Sequence, residues 1–322
     1  MRRRDFISLI SGATVWPFVA ARAQQVTPVI GFINGSSATA YAAYAQAFVR
    51  GLAETGLKVG ENVAVEYRWA EGHYDRIPEM ANDLVQHQVA VIAANTPAAN
   101  VAKRVAGKIP VVFFTGDDPV ASGLVASLSR PGGNATGVTP MSGGLAAKQI
   151  GLLRELVPAA TLIAYLVNPH NPITELNVRD ALGAASKLGQ RIEVVRAGSD
   201  DEIDAAFNTI HEMHADAMLA QPDAFLVNKR LVELAAHYSV PAMYQVRDLV
   251  AAGGLMSYGP SFSDLYRQMG VYAGKVLNGA NPAELPVLQP TKFELAINLK
   301  TANGLGLKVS SNLLSIADDE IE

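Results

Sequence analysis

Three short segments concentrate the residues able to do chemistry: Asn95-Thr96-Pro97, Gly116-Asp117-Asp118-Pro119 and Asn168-Pro169-His170-Asn171-Pro172. Each follows an apolar run, and each combines hydroxyl, amide or carboxyl groups with a proline suited to a first helical turn. Thr96, Asp118 and Asn171 are placed to cap helices that begin at those prolines. If they do more than cap, the three loops gather donors and acceptors around one space. Helix N-termini favour a ligand carboxylate, while Asp117 and Asp118 favour an ammonium group, so a small zwitterion fits the chemistry. Tyr244 and Tyr258 end two further strand-like runs. They are either apolar walls of such a site or core residues with satisfied hydroxyls.

Catalytic patterns are weak. The carboxylate pairs Asp117-Asp118 and Asp200-Asp201 stand at helix starts, where such pairs usually cap. No G-x-S-x-G elbow or G-x-x-x-x-G-K-[ST] phosphate loop occurs, and Gly270-Val271-Tyr272-Ala273-Gly274-Lys275-Val276 has neither the spacing nor the hydroxyl. His211 and His214 stand three apart with no third ligand in view, which reads as a solvated helix face. The chain has no cysteine, so disulfides, thiolate metal sites, cysteine nucleophiles and a lipid-bearing N-terminal cysteine are excluded. The expectation is a protein that is not an enzyme and calls for no cofactor and no metal.

The elements that must position these loops alternate regularly. Residues 29–33, 89–93, 111–115, 162–167, 192–195 and 217–220 are continuously apolar strands, the pattern of parallel sheets with helices on both faces. Between them lie amphipathic helices, one carrying Tyr41, Tyr44, Phe48 and Leu52 on a single face and another Phe262, Leu265, Tyr266, Met269, Ala273 and Val276. Arg130-Pro131-Gly132-Gly133-Asn134 breaks the rhythm, which restarts near Gly143. The fold class is therefore α/β, in two similar lobes. In open parallel sheets ligands bind beyond the carboxyl ends of the strands, where the three loops lie.

The first residues address the protein elsewhere. Arg2, Arg3 and Arg4 precede an apolar stretch that reaches about Ala21, and Ala21-Arg22-Ala23 offers a small-residue cleavage site. The stretch is shorter than the roughly 20 apolar residues of a membrane helix, so residues 1–23 read as a cleaved signal and not an anchor. Arg3-Arg4-x-Phe-Ile also fits the twin-arginine export pattern. The formal charge of the whole chain is −4; residues 1–23 carry four Arg and one Asp, so their loss leaves −7. Nucleic acid and anionic membrane surfaces are poor partners for such a chain.

Longer motifs carry a resemblance. RRRDFI, VIGFIN, VEYRWAEGHYDR, VAVIAANTPAA, GDDPVASGLVASLSRPGGNATGV, LRELVP, VNPHNP, AAGGLMSYG and TKFELAINLKTANGLGL together resemble the ABC-transporter substrate-binding family of tryptophan/tyrosine-type binding proteins, essentially end to end. The resemblance implies the class I periplasmic-binding-protein fold: two Rossmann-like lobes, a three-segment hinge and a ligand cleft between them. One lobe would take residues 27–138 plus 260–288, the other 142–256 plus 293–322, with crossings near 139–141, 257–259 and 289–292. In that class the loops after the third and fourth strands hold the ligand's polar head, which here means Asn95 and Thr96 with Thr115 to Asp118. Asn34, Ser36, Asn168, Tyr244 and Tyr258 complete the expected ligand-binding set. Gln245 stands where related sequences tend to be acidic, and a neutral amide holds a cationic group less well.

The implied role is a monomeric periplasmic receptor that delivers a small polar or aromatic solute, such as an amino acid, to an inner-membrane ABC permease. Sensing a ligand for a signalling receptor is an alternative, and a periplasmic enzyme a more distant one. Replacing Arg3 and Arg4 together by lysine should stop export if the twin-arginine route is used. Normal accumulation of that variant outside the cytoplasm would leave only the general secretory route.

Overall fold

The computed structural model describes residues 27–140, 145–290 and 293–322; the leader read at 1–23 lies outside the described residues. The first lobe is built on strands β1 (Val29–Asn34), β2 (Ala64–Trp69), β3 (Val91–Asn95), β4 (Val111–Phe114) and β5 (Ala135–Val138), paired in parallel in the order β2-β1-β3-β4-β5. Helices α1 (Ala42–Glu54), α2 (Ile77–Gln86) and α3 (Ala98–Val105) cover its faces. The second lobe holds α4 (Leu145–Leu156), β6 (Leu162–Val167), α5 (Thr174–Leu188), β7 (Arg191–Arg196), α6 (Asp200–Glu212), β8 (Ala217–Ala220), α7 (Lys229–His237), β9 (Ala242–Tyr244), α8 (Arg247–Ala251) and β10 (Met256–Pro260). Helix α9 (Phe262–Leu277) returns to the first lobe, and the chain ends in the second with β11 (Phe293–Asn298), α10 (Leu299–Gly304), α11 (Ser311–Ile316) and β12 (Asp319–Ile321).

Buried strands were legible as apolar runs; the edges were not. β2 carries Glu66 and Arg68 and is only half buried, so its run is broken by charge. β3 lies two residues later than its apolar run suggests. The turn after α2 consumes Gln88, in the left-handed region at φ +53°, and Val89 closes the helix end through its N–H to Leu84 O. The shift puts Asn95 in the last position of the strand. Trp69 stacks on Tyr67 at 5.9 Å and also meets Phe32, a structural role. His214 lies beyond the end of α6, again at φ +53°, and both His211 and His214 are exposed.

Parallel pairing fails at one place in the second sheet, whose order is β12-β11-β10-β9-β8-β6-β7. β11 runs antiparallel to β10. The chain leaves β10 at its carboxyl end, completes the first lobe with α9, and re-enters beside that same end, so the incoming strand must run backwards. The pairing of Pro260 with Phe293 holds β10 in the second sheet to its last residue. Residues 257–259, where a crossing was expected, lie within β10. The other two passages lie beyond Thr139 and beyond Leu288, where Thr139 N donates to Leu288 O and Leu288 N to Gly137 O.

α9 locks into the first lobe by backbone contact with α1. A Cβ on Gly51 would stand 1.9 Å from Arg267 O, and one on Gly270 2.1 Å from Phe48 O. Around this crossing Phe32 meets Phe48 edge-on at 5.1 Å, and Tyr44 stacks on Tyr266 at 5.5 Å. Arg267 on α9 reaches Glu54 on α1 at 2.8 Å. Gly270→Ala gains about 1 kcal/mol of helix propensity but forces the helices apart, and should lower stability in urea by about 1–3 kcal/mol. A midpoint at or above that of the parent would show that the crossing tolerates a methyl group.

Candidate ligand-binding site between the lobes

The carboxyl ends of the two sheets face each other across a cavity of about 630 Å³, open solvent at its mouth included. From the first lobe come Asn95 and Thr96 at the end of β3, Phe114 and Gly116 after β4, Tyr41 before α1 and Phe262 at the start of α9. The second lobe contributes Asn171 and Asn177 around the start of α5, Asp223 after β8 and Gln245 after β9. Phe114 and Phe262 meet edge-on at 5.3 Å and form an apolar wall.

Asp223 is the focus of the second-lobe side. It is 4% exposed, and no cation touches it among the described residues. Its Oδ1 accepts from Asn168 Nδ2 at 3.1 Å, Phe225 N at 2.9 Å and Leu226 N at 3.2 Å. Its Oδ2 accepts from Asn171 Nδ2 at 2.7 Å and from the Tyr74 hydroxyl at 2.9 Å. Burial raises the carboxyl pKa and the hydrogen bonds oppose that rise without cancelling it. Gln245 holds the backbone in place, donating from Nε2 to Asp223 O at 2.7 Å.

Tyr74 belongs to the first lobe, so its bond to Asp223 joins the lobes. Its hydroxyl also accepts from Phe225 N at 3.2 Å, and the Phe225 ring lies so close over Gly72 that a Cβ there would stand 2.7 Å from it. Gly72 has φ +83°, a conformation that glycine adopts without strain. A further bond joins the lobes beside the hinge, from the Tyr44 hydroxyl to Asp248 Oδ2 at 2.7 Å. One cluster of buried apolar residues runs through both lobes. The conformation is closed.

On the first-lobe side, Asn95 Oδ1 accepts from Gly35 N at 3.0 Å, while its Nδ2 is buried beside the Tyr266 hydroxyl, short of a well-formed hydrogen bond. The Thr96 hydroxyl donates to Thr115 Oγ1 at 3.0 Å and accepts from Gly116 N at 3.3 Å. Across the cavity the Nδ2 of Asn177 is buried and unpartnered. Two amide donors from opposite lobes thus await acceptors. Such groups cost about 1–3 kcal/mol each when left unmade.

The structure brings Asn95 and Thr96 to the cavity itself and sets Thr115 and Asn168 behind it as supports. Asn34 is spent within the first lobe, donating to the Tyr266 hydroxyl and accepting from Ser36 N, and Ser36 is buried beside it. Thr96 caps no helix, since α3 begins at Ala98 with Pro97 before it. No helix begins at Pro119, so Asp118 caps none; it accepts from Val120 N and Ala121 N and closes a turn, and Asp117 is half buried, where desolvation raises its pKa. Neither lines the cavity. Tyr244 points to a different groove, on the far side of the second lobe, and Tyr258 stacks on Phe293 at 5.9 Å. Neither ring lines the interlobe cavity.

Sequence reading missed Asp223 and Asn177. Gln221-Pro222-Asp223 repeats the pattern of strand, polar residue and proline that singled out the other loops, so that signal was present. Asn177 lies one turn inside a helix and has no such mark. Asn171 does not cap a helix at Pro172, since α5 begins at Thr174 with Ile173 before it; its Oδ1 accepts from Ile173 N and its Nδ2 serves Asp223.

The sequence model of a family described as ABC transporter substrate binding protein matches residues 28–321. A "Tyrosine-binding protein" of Clostridioides difficile is 26% identical over 280 residues, covering 85% of this chain and 80% of that one. The crystal structure of an ABC domain from Streptococcus pneumonia in complex with L-Trp superposes with a TM-score of 0.79 at 26% identity, covering 92% of this chain and all of that one. A conserved domain protein from Vibrio cholerae superposes at 0.83 with 24% identity, over 91% and 99% of the two chains. The architecture is that of the class I periplasmic binding proteins.

Changing Tyr74 and Tyr44 together to phenylalanine removes the three hydrogen bonds that their hydroxyls make between the lobes. A hydrogen bond to a charged group contributes about 1.5–3 kcal/mol, so the ligand-free closed population should fall at least tenfold, read as a larger radius of gyration by small-angle X-ray scattering. An identical scattering profile for parent and double variant would show that these bonds do not hold the lobes together.

Proposed function

Because the chain belongs to the ABC transporter substrate-binding protein family, we propose that it is the periplasmic receptor of an ABC importer and takes an aromatic amino acid into the cavity between its lobes. The observation that carries this reading is the pairing of the under-satisfied Asn95 and Asn177 amides, one on each lobe, with the buried carboxylate of Asp223. Amides that only lack acceptors suit a ligand carboxylate. Asp223, whose oxygens already hold five donors, favours the ammonium through its charge, and Tyr41, Phe114 and Phe262 suit a ring. The neutral Gln245 does not leave the cavity without negative charge, because Asp223 supplies it.

The names of the relatives point the same way: one is called a tyrosine-binding protein and another was solved with L-Trp. A ligand that satisfies Asn95 and Asn177 at once contacts both lobes and stabilises the closed state by its differential affinity for it. The closed form then docks on the permease, and nucleotide hydrolysis belongs to that partner complex. The apolar leader supports export. No helix among the described residues is long and apolar enough to cross a membrane.

L-Trp or L-Tyr at a hundred times its dissociation constant should stabilise the mature protein by about 2.7 kcal/mol, read by thermal shift. Asn95→Ala and Asn177→Ala should each weaken binding about 5- to 30-fold. Asp223→Asn should weaken amino acids more than their deaminated analogues. Stabilisation by sugars and by no amino acid would overturn the ligand class; no response to any small solute would overturn the receptor reading.

A further inference from the structure

A second, larger cavity opens at the far end of the second lobe. Val240 and Ala242 stand at the start of β9, Leu255 just before β10, and Asn298 at the end of the antiparallel β11. All four mark the amino ends of the parallel strands, opposite the interlobe cleft. With the last turn of α7, the end of α8 and the C-terminal strand β12, they enclose about 1200 Å³, mouth included. The walls are short and apolar, Val232, Ala235 and Leu305 among them.

Tyr244 lines this space and is 0% exposed, yet its hydroxyl has no hydrogen-bond partner. Its ring lies against Gly254, where a Cβ would stand 2.6 Å from Cε2. Burial raises the hydroxyl pKa well above its ordinary value, so it remains a protonated donor. Of the other polar side chains, Ser239 is exposed, and Asn298 and Thr301 are already occupied. Asn298 Nδ2 donates to Val250 O and its Oδ1 accepts from Thr301 N, while Thr301 Oγ1 donates to Gly253 O. At the rim Lys300 and Glu322 carry opposite charges, so the mouth selects for neither sign.

We propose that this cavity is a second binding site, for a small uncharged apolar molecule bearing a single hydrogen-bond acceptor that takes the Tyr244 hydroxyl. The occupant is a ring or branched chain with one carbonyl or ether oxygen, too poor in polar groups to satisfy the cleft. Binding there presses on α7, α8 and the C-terminal strand, and it requires no particular state of the cleft.

Acetophenone and ethylbenzene share shape and differ in the acceptor, which makes them the probes. Titrated into the mature protein and followed by amide NMR shifts, acetophenone should bind at least fivefold more tightly than ethylbenzene. The shifts should centre on Gly253, Gly254 and Leu305, with Thr96 and Asn177 unmoved. Tyr244→Phe should abolish the preference while leaving the unliganded protein as stable as the parent or more so. Equal binding of the two probes, a preference that survives Tyr244→Phe, or shifts centred on the cleft would each overturn the assignment. Failure of the cleft to bind amino acids would not touch it.

Discussion

A carboxylate enclosed in protein without a countercharge is tolerated only when its oxygens are filled with donors. Asp223 is in that position, and the geometry around the cleft follows from it. The loop after β8 must present two successive backbone N–H groups, and the loop after β6 must aim Asn168 and Asn171 at the same point. The fifth donor, Tyr74, comes from the other lobe. Satisfying the charge and closing the lobes are therefore one event, and the side chain whose charge favours a ligand's ammonium is also the one that feels the domain arrangement most directly.

The first lobe imposes a second constraint. It is incomplete without α9, which arrives from after the last strand of the main alternation and seats against α1 at glycine-to-backbone distance. That helix brings Phe262 to the cavity wall and Tyr266 to Asn34. Because it must be reached and left, the chain crosses between lobes three times and β11 enters its sheet antiparallel. The hinge is thus a consequence of how the first lobe obtains its core, and Tyr44, on the helix that packs against α9, carries the bond to Asp248 beside it.

Much of this was written locally. Apolar strand runs and three-four helix spacing placed most elements and both lobes, and loops of polar residues before proline pointed to Asn95 and Thr96. Chemical type at a loop was a poorer guide to direction. Asp118 proved to close a turn, Asn34 was consumed inside its lobe, and Tyr244 and Tyr258 line no part of the cavity, since a residue's neighbours along the chain do not say which face of a sheet it meets. Edge strands such as β2 and the short β12 carry charge or lack length and left no clear apolar signature.

By itself the sequence determined the α/β class, the two lobes, the leader-like start and the absence of cysteine chemistry, because composition and periodicity are properties of neighbouring residues. The tertiary structure alone decided which groups share the cleft. Tyr74 and Asp223 are 149 positions apart, and Asn95 and Asn177 line one cavity from different lobes. Pairings of that kind depend on how two separately patterned lobes close on each other, and no local pattern encodes that contact.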